Sequence, residues 1–156
     1  MNQQRLRTVR DEVARLSPAP AFSNRAKVTH ETLLTAHPDR VLPIDTLDMN
    51  TWHSRLSTLG DCRTLGCIAG VTVCLYPEEA REIGARTDEE TGLQPSIGEI
   101  AEQILDLSDA ESWALFHSEP RQPDGSAVTP EQATAAIDRL LAGKDPEDIW
   151  DQTQPS

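Results

Sequence analysis

Three segments of the C-terminal half begin with the same helix-start signature, and this signature constrains the fold more than any other feature. In each segment a serine or threonine precedes a glutamate or glutamine by three residues: Ser96 with Glu99, Ser108 with Glu111, and Thr129 with Gln132. Such a capping box supplies partners for backbone N–H groups that a helix N-terminus leaves unpaired. The third segment also has Pro130 at its first helical position and Gly143 as a terminator. These segments are predicted to be helices, with one more turn capped by Asp145.

The N-terminal segment is predicted to be an amphipathic, arginine-rich helix. Leu6, Val9, Val13 and Leu16 recur at helical spacing, and four arginines lie around them. The prolines of "SPAPAF" stop this helix, because proline cannot continue one. We expect the helix to pack on the domain, although residues 1–16 also offer a contact for another copy of the chain.

The remaining sequence gives no sign of a sheet. A short helix is expected from Thr29, its N-cap, to Pro38, and no stretch alternates convincingly between apolar and polar residues over five or more positions. The length of 156 residues suits a single domain. We therefore predict an all-α fold, a compact single-domain bundle of about five to seven short helices. Its expected parts are an N-terminal helix and linker (1–20), a helical domain (21–150) and a disordered tail (151–156).

Charge is distributed unevenly along the chain. Residues 1–77 hold nine Lys/Arg and seven Asp/Glu, whereas residues 78–156 hold five and nineteen, and the net charge is −12. A negative field of this kind repels nucleic acid and attracts basic surfaces, although acidic faces also serve solubility. No apolar run approaches the roughly 18 residues that span a bilayer, and the first residues lack the apolar region of a signal peptide. We expect a cytoplasmic protein that binds neither nucleic acid directly nor membranes.

All three cysteines lie within "DCRTLGCIAGVTVC", residues 61–74. A helix capped by Thr64 would place Cys67, Gly70 and Cys74 on one stripe. Gly66 and Gly70, four residues apart, would let another helix approach closely, at a cost of about 1 kcal/mol for each glycine. The favoured interpretation is a close-packed structural seam in which the cysteines act as small apolar residues and Trp52 is a neighbour.

Three other interpretations of the cysteines remain open. A zinc site would use Cys62 and Cys67 with His53 as the nearest third ligand, but a second close pair of ligands is missing. A catalytic thiol at Cys67 would gain from a helix N-terminus, but no histidine is spaced to act as its base. A Cys62–Cys67 disulfide is disfavoured in the cytoplasm. No cofactor is expected.

Two motifs and a closing helix resemble a group of small bacterial and phage proteins. Their shared pattern joins D-M-x-x-W to C-G-T-x-x-C-I-A-G and ends with a T-P-E-Q-A helix. The matching residues are Asp48, Met49, Trp52, Cys62, Thr64, Cys67, Ile68, Ala69 and Gly70, followed by Thr129, Pro130, Glu131, Gln132 and Ala133. Arg63 stands where the pattern has glycine, so a special turn is not implied there. The resemblance covers about residues 44–143 and implies a fold framework and a phage context, but no particular activity.

The sequence contains no phosphate-binding glycine loop and no motif of a metalloprotease or serine hydrolase. The first hypothesis is a non-enzymatic, acidic protein-interaction module that binds a basic protein surface. In a phage context it would be an anti-CRISPR-like inhibitor that occludes a host nucleic-acid-binding defence complex. The candidate partner-binding residues are Asp88, Glu89, Glu90, Asp145, Glu147 and Asp148. The alternatives are a zinc- or thiol-dependent protein centred on Cys62 and Cys67, and a homo-oligomeric structural protein.

Overall fold

The computed structural model describes residues 1–18, 46–47, 53–58, 61–118 and 128–151. Within these ranges the chain forms six α-helices, one 3₁₀ turn and a small sheet. The helices are α1 (Gln3–Val13), α2 (Ile68–Leu75), α3 (Pro77–Gly84), α4 (Ile97–Leu105), α5 (Asp109–His117) and α6 (Pro130–Leu141), and the 3₁₀ turn is Pro146–Asp148. All six helices contribute side chains to one buried core, which confirms the predicted bundle of five to seven short helices.

The apolar stripe of α1 faces this core. The side chains of Leu6, Val9 and Val13 are fully buried, and α1 packs against α6, α2 and α4. Asn2 caps the helix by accepting a hydrogen bond from the N–H of Arg5 at 3.1 Å. The period-3.6 pattern of the sequence thus correctly indicates which side of α1 is buried.

Helix α2 lies at the centre of the bundle. Every residue from Ile68 to Val73 is buried, and the helix packs against α4, α1, α3 and α5. A helix that is apolar on all sides belongs in a core. Its one buried hydroxyl, on Thr72, donates to the carbonyl oxygen of Ile68 at 2.9 Å, so it is satisfied within the helix.

The predicted caps of α4, α5 and α6 are all present. Ser96 Oγ accepts from the N–H of Glu99 at 3.3 Å, and Glu99 Oε2 accepts from the N–H of Ser96 at 2.6 Å. The same reciprocal pair joins Ser108 with Glu111, and another joins Thr129 with Gln132. Beyond α6, Gly143 has a φ of 78°, a left-handed conformation in which glycine is not strained.

A four-stranded sheet accompanies the helices, and the sequence analysis expected no strand. The strands are β1 (Ser17–Pro18), β2 (Thr46–Leu47), β3 (His53–Thr58) and β4 (Asp61–Gly66), in the order β1-β2-β4-β3. β3 and β4 are antiparallel, whereas β1 pairs with β2 and β2 with β4 in parallel. The sheet is an addition to the predicted helical bundle, and its strands are defined by backbone pairing rather than by apolar alternation. The predicted helix Thr29–Pro38 lies outside the described residues.

Candidate interaction surface

The acidic half of the chain keeps its carboxylates in contact with solvent. Residues 78–118 and 128–151 contain seventeen Asp/Glu and four Lys/Arg. None of these seventeen acidic residues is buried. Because an ionised carboxylate is costly to remove from water without a partner, this exposure is expected. It also means that the negative field predicted from the sequence is presented at the surface of this part of the fold.

The first predicted acidic group lies in a tightly hydrogen-bonded loop, residues 86–95, which we call the acidic loop. The carboxylate of Asp88 accepts from the N–H groups of Thr91 at 2.7 Å and Glu90 at 2.8 Å. The Asp88 N–H donates to the Leu93 carbonyl at 2.9 Å, and the Asp88 carbonyl accepts from the N–H of Gly92 at 2.8 Å. The bonds that the carboxylate accepts from Thr91, and secondly from Glu90, hold the pKa of Asp88 below its usual range. The turn therefore holds its shape while Glu89 and Glu90 face solvent.

The second predicted acidic group lies on the 3₁₀ turn, and we call residues 145–148 the acidic turn. Asp145 caps it by accepting from the N–H of Glu147 at 3.2 Å, and its three carboxylates are exposed. Ile149 and Trp150, immediately after it, are buried. The indole N–H of Trp150 donates to the Ala114 carbonyl of α5 at 2.7 Å, which fixes the turn to the bundle.

The fold places the two acidic groups on separate segments. The acidic loop connects α3 to α4, whereas the acidic turn follows α6 and packs against α5. A second bond supports the turn, since the guanidinium of Arg139 donates to the Ile149 carbonyl at 2.7 Å. The acidic loop is therefore held by its own hydrogen bonds, and the acidic turn is held by the buried residues Ile149 and Trp150.

Two exposed apolar side chains were missed by the sequence analysis. Trp113 of α5 is 64% exposed and Leu93 of the acidic loop is 68% exposed; they are the large exposed hydrophobic residues of the described part of the chain. The Trp113 and His117 rings lie 5.0 Å apart, centroid to centroid. The signal was present in the sequence, because helical spacing puts Trp113 on the same face as Asp109 and His117, which is the polar face of α5.

The arginine-rich helix α1 uses its charges within the chain. Arg10 makes two hydrogen bonds to the carboxylate of Asp138, at 2.9 and 3.0 Å, and these bonds raise its pKa. Arg5 donates to Glu79 at 3.1 Å, and its guanidinium carbon lies 4.8 Å from the centre of the Tyr76 ring. With its apolar stripe also buried, α1 packs on the domain as the sequence analysis expected.

The cysteine segment differs from its predicted form. Strand β4 continues to Gly66, so Thr64 does not cap a helix and Gly66 does not lie on one. Instead Cys67 is the N-cap of α2, and its sulfur accepts from the N–H of Gly70 at 3.5 Å. The strand prevails because its backbone groups pair with β3 and β2. Of the predicted seam, Cys67 and Gly70 are buried and Cys74 is partly buried, while Trp52 lies outside the described residues.

Strand β4 separates the backbones of the candidate zinc ligands Cys62 and Cys67. Cys62 pairs with Ser57 and His53 pairs with Gly66, and five residues of extended chain separate the backbones of Cys62 and Cys67 by about 16 Å. Sulfur ligands lie about 2.3 Å from zinc. Among the described residues, no group of three His, Cys, Asp or Glu is placed to hold a metal ion. Burial, followed by the nearby Cys67, raises the pKa of the Cys74 thiol to about 12, which is typical of an inert, packed cysteine.

Comparisons with protein families, with curated proteins and with solved structures find no match to this chain. In the part that the structure describes, no helix is both long and apolar enough to cross a bilayer.

Proposed function

We propose that this protein is a non-enzymatic interaction module whose acidic C-terminal half binds a basic surface of another protein. The observation that carries the proposal is that none of the seventeen acidic residues of residues 78–118 and 128–151 is buried and fourteen of them are exposed. A surface with this charge complements Lys/Arg-rich grooves, and it steers such partners over distances comparable to the Debye length, about 10 Å at 0.1 M salt.

The rigidity of the two acidic groups also supports binding. The hydrogen bonds of Asp88 and the buried anchor Trp150 fix backbone that would otherwise have to become ordered when a partner binds. Ordering a segment on binding reduces the affinity that its contacts provide. A preformed acidic loop and acidic turn avoid most of that loss.

The class of partner follows from the resemblance to phage proteins and from charge. Basic grooves are common where proteins hold nucleic acid, because phosphates are neutralised there by Lys and Arg. An acidic protein bound in such a groove occludes it. The proposed role is a cytoplasmic, anti-CRISPR-like inhibitor of a host nucleic-acid-binding defence complex, acting by competition with DNA or RNA.

The electrostatic part of the proposal is tested with a fluorescent nona-arginine peptide, whose binding is measured by anisotropy. We expect affinity to fall at least tenfold between about 50 and about 300 mM NaCl, because salt screens exposed charges. A variant with Asp→Asn and Glu→Gln changes at six positions should lose peptide affinity to a similar extent. These positions are Asp88, Glu89, Glu90, Asp145, Glu147 and Asp148. Salt-insensitive binding, or full binding by this variant, would refute the proposal.

A control variant separates position from net charge. In the first variant only Asp145, Glu147 and Asp148 are neutralised. In the second, the control, the neutralised residues are Glu78, Glu82 and Glu131, which are exposed and lie outside both acidic groups. Both change the net charge by three. The first should lose more affinity than the second. The occlusion step is then tested by whether wild-type protein displaces target DNA from purified RNA-guided nucleases in a mobility-shift assay.

A further inference from the structure

Charge explains why the carboxylates are exposed to solvent, but it does not explain why the indole of Trp113 is exposed. Most large apolar side chains of the bundle are buried, yet Trp113 is 64% exposed at the centre of a helix with capped, well-defined geometry. Burial of an aromatic ring yields a large hydrophobic gain, and tryptophan is enriched among the residues that dominate binding energy at interfaces. An exposed tryptophan on rigid backbone is therefore suited to be covered by a partner.

The surroundings of Trp113 are acidic. Asp109 lies one helical turn before it and is exposed. The acidic turn packs against the same helix, and the Trp150 bond reaches the carbonyl of Ala114, the residue after Trp113. Neither α5 nor residues 145–151 contains a lysine or arginine. Asp109 thus puts negative charge on the helix face that carries the indole, beside the His117 ring, and Asp145, Glu147 and Asp148 put three more carboxylates on a turn that packs against the same helix.

The chain already contains a complete version of this arrangement. The guanidinium of Arg5 lies over the Tyr76 ring at 4.8 Å while it donates to the Glu79 carboxylate at 3.1 Å. Tyr76 and Glu79 are three residues apart, and Asp109 and Trp113 are four apart. On α5 Trp113 and Asp109 supply an aromatic ring and a carboxylate at a similar spacing, with the His117 ring 5.0 Å from the indole, and α5 contains no arginine.

We propose that Trp113, Asp109 and the acidic turn form a binding face for an arginine side chain of the partner protein. The guanidinium stacks on the indole and donates to the neighbouring carboxylates. Arginine is favoured over lysine because its planar, weakly hydrated group stacks on aromatic rings and binds carboxylates through two N–H groups. This inference rests on the proposed function and assigns it a contact residue and a preferred cation.

The test compares nona-arginine with nona-lysine peptides on wild-type, Trp113→Ala and Trp113→Phe proteins at one salt concentration. We expect wild-type protein to prefer the arginine peptide, Trp113→Ala to lose on the order of tenfold or more in affinity for it, and Trp113→Phe to recover part of the loss. Gln103→Ala, at an exposed position of α4 outside both acidic groups and outside α5, is the control and should keep wild-type affinity. Urea unfolding checks that each variant is folded.

The possible results distinguish this inference from the proposed function. If wild-type protein binds neither peptide, both fail. If it binds both in a salt-dependent way but Trp113→Ala binds as well as wild type, the proposed function stands and the arginine face is refuted. If sedimentation shows a wild-type dimer that Trp113→Ala converts to a monomer, the indole is covered by a second copy and the arginine face is again refuted.

Discussion

Replacing Leu6 of α1 by alanine tests whether the N-terminal helix is an integral part of the core. The Leu6 side chain is fully buried, and the change removes three carbon atoms. Their transfer to water costs about 0.8 kcal/mol each, or about 2.4 kcal/mol, and the cavity left behind brings the total to about 2–5 kcal/mol. A domain of this kind has a free energy of unfolding of about 5–15 kcal/mol, so the loss is a large fraction of it.

Urea unfolding followed by circular dichroism measures this loss. With a slope of about 2 kcal/mol per molar urea, the middle of the usual range, the midpoint of Leu6→Ala should fall by about 1–2.5 M. Gln4→Ala, at an exposed position of the same helix, is the control and should change stability by less than about 0.5 kcal/mol. A single transition for both variants is expected. If Leu6→Ala behaves like the control, or if an early transition of α1 precedes the rest, residues 1–20 form a separate unit and our interpretation is wrong.

Four further predictions follow from individual contacts. Ser96→Ala should destabilise the protein by about 1 kcal/mol in urea unfolding, since it removes a helix cap; no loss would contradict the role of the capping box. Trp150→Phe should cost about 1–3 kcal/mol, because it leaves the Ala114 carbonyl without its donor, and the melting temperature should fall by several degrees. Cys74, with a thiol pKa of about 12, should react with iodoacetamide at pH 8 far more slowly than in urea, and equal rates would refute its burial. NMR titration should show the pKa of the Asp88 carboxyl below the ordinary aspartate value. Since its folded pKa is lowered, its stabilisation of the acidic loop is present above the unfolded pKa and lost as pH falls through the folded pKa.

The helices could be predicted from the sequence because their determinants are local. Each capping box joins residues three positions apart, and the apolar stripe of α1 is visible within the eleven residues Gln3–Val13. The sheet could not, because β1 and β2 pair with distant segments and the neighbouring strands β3 and β4 lack an apolar pattern. Thr46 pairs with both Ser17 and Leu65, and the strand sequences "HSRLST" and "DCRTLG" have no alternating apolar face. The cysteine segment was mispredicted because "DCRTLG" shows no strand alternation, and β4 extends to Gly66, past the expected helix start at Thr64.

The candidate surface was only partly visible in the sequence. Exposure of Asp88, Glu89 and Glu90 was predictable, because clustered carboxylates cannot be buried without partners. The exposure of Trp113 was not inferred, since an aromatic residue in an apolar stretch such as "SWALF" is usually part of the core. Only the helical phase set by the Ser108 cap reveals that Trp113 lies on the polar side of α5.

Charge and geometry in the acidic loop can be separated by the choice of substitution. Asp88 both carries charge and holds the loop, whereas Glu89 and Glu90 contribute carboxylates that accept none of the hydrogen bonds within it. Asp88→Asn keeps an acceptor oxygen for the N–H groups of Thr91 and Glu90, so it removes charge and largely preserves the turn. Asp88→Ala removes both the charge and the acceptor oxygen. If the loop binds through charge alone, the two variants should bind a basic partner equally; if its preformed shape matters, Asp88→Ala should bind more weakly than Asp88→Asn at the same net charge.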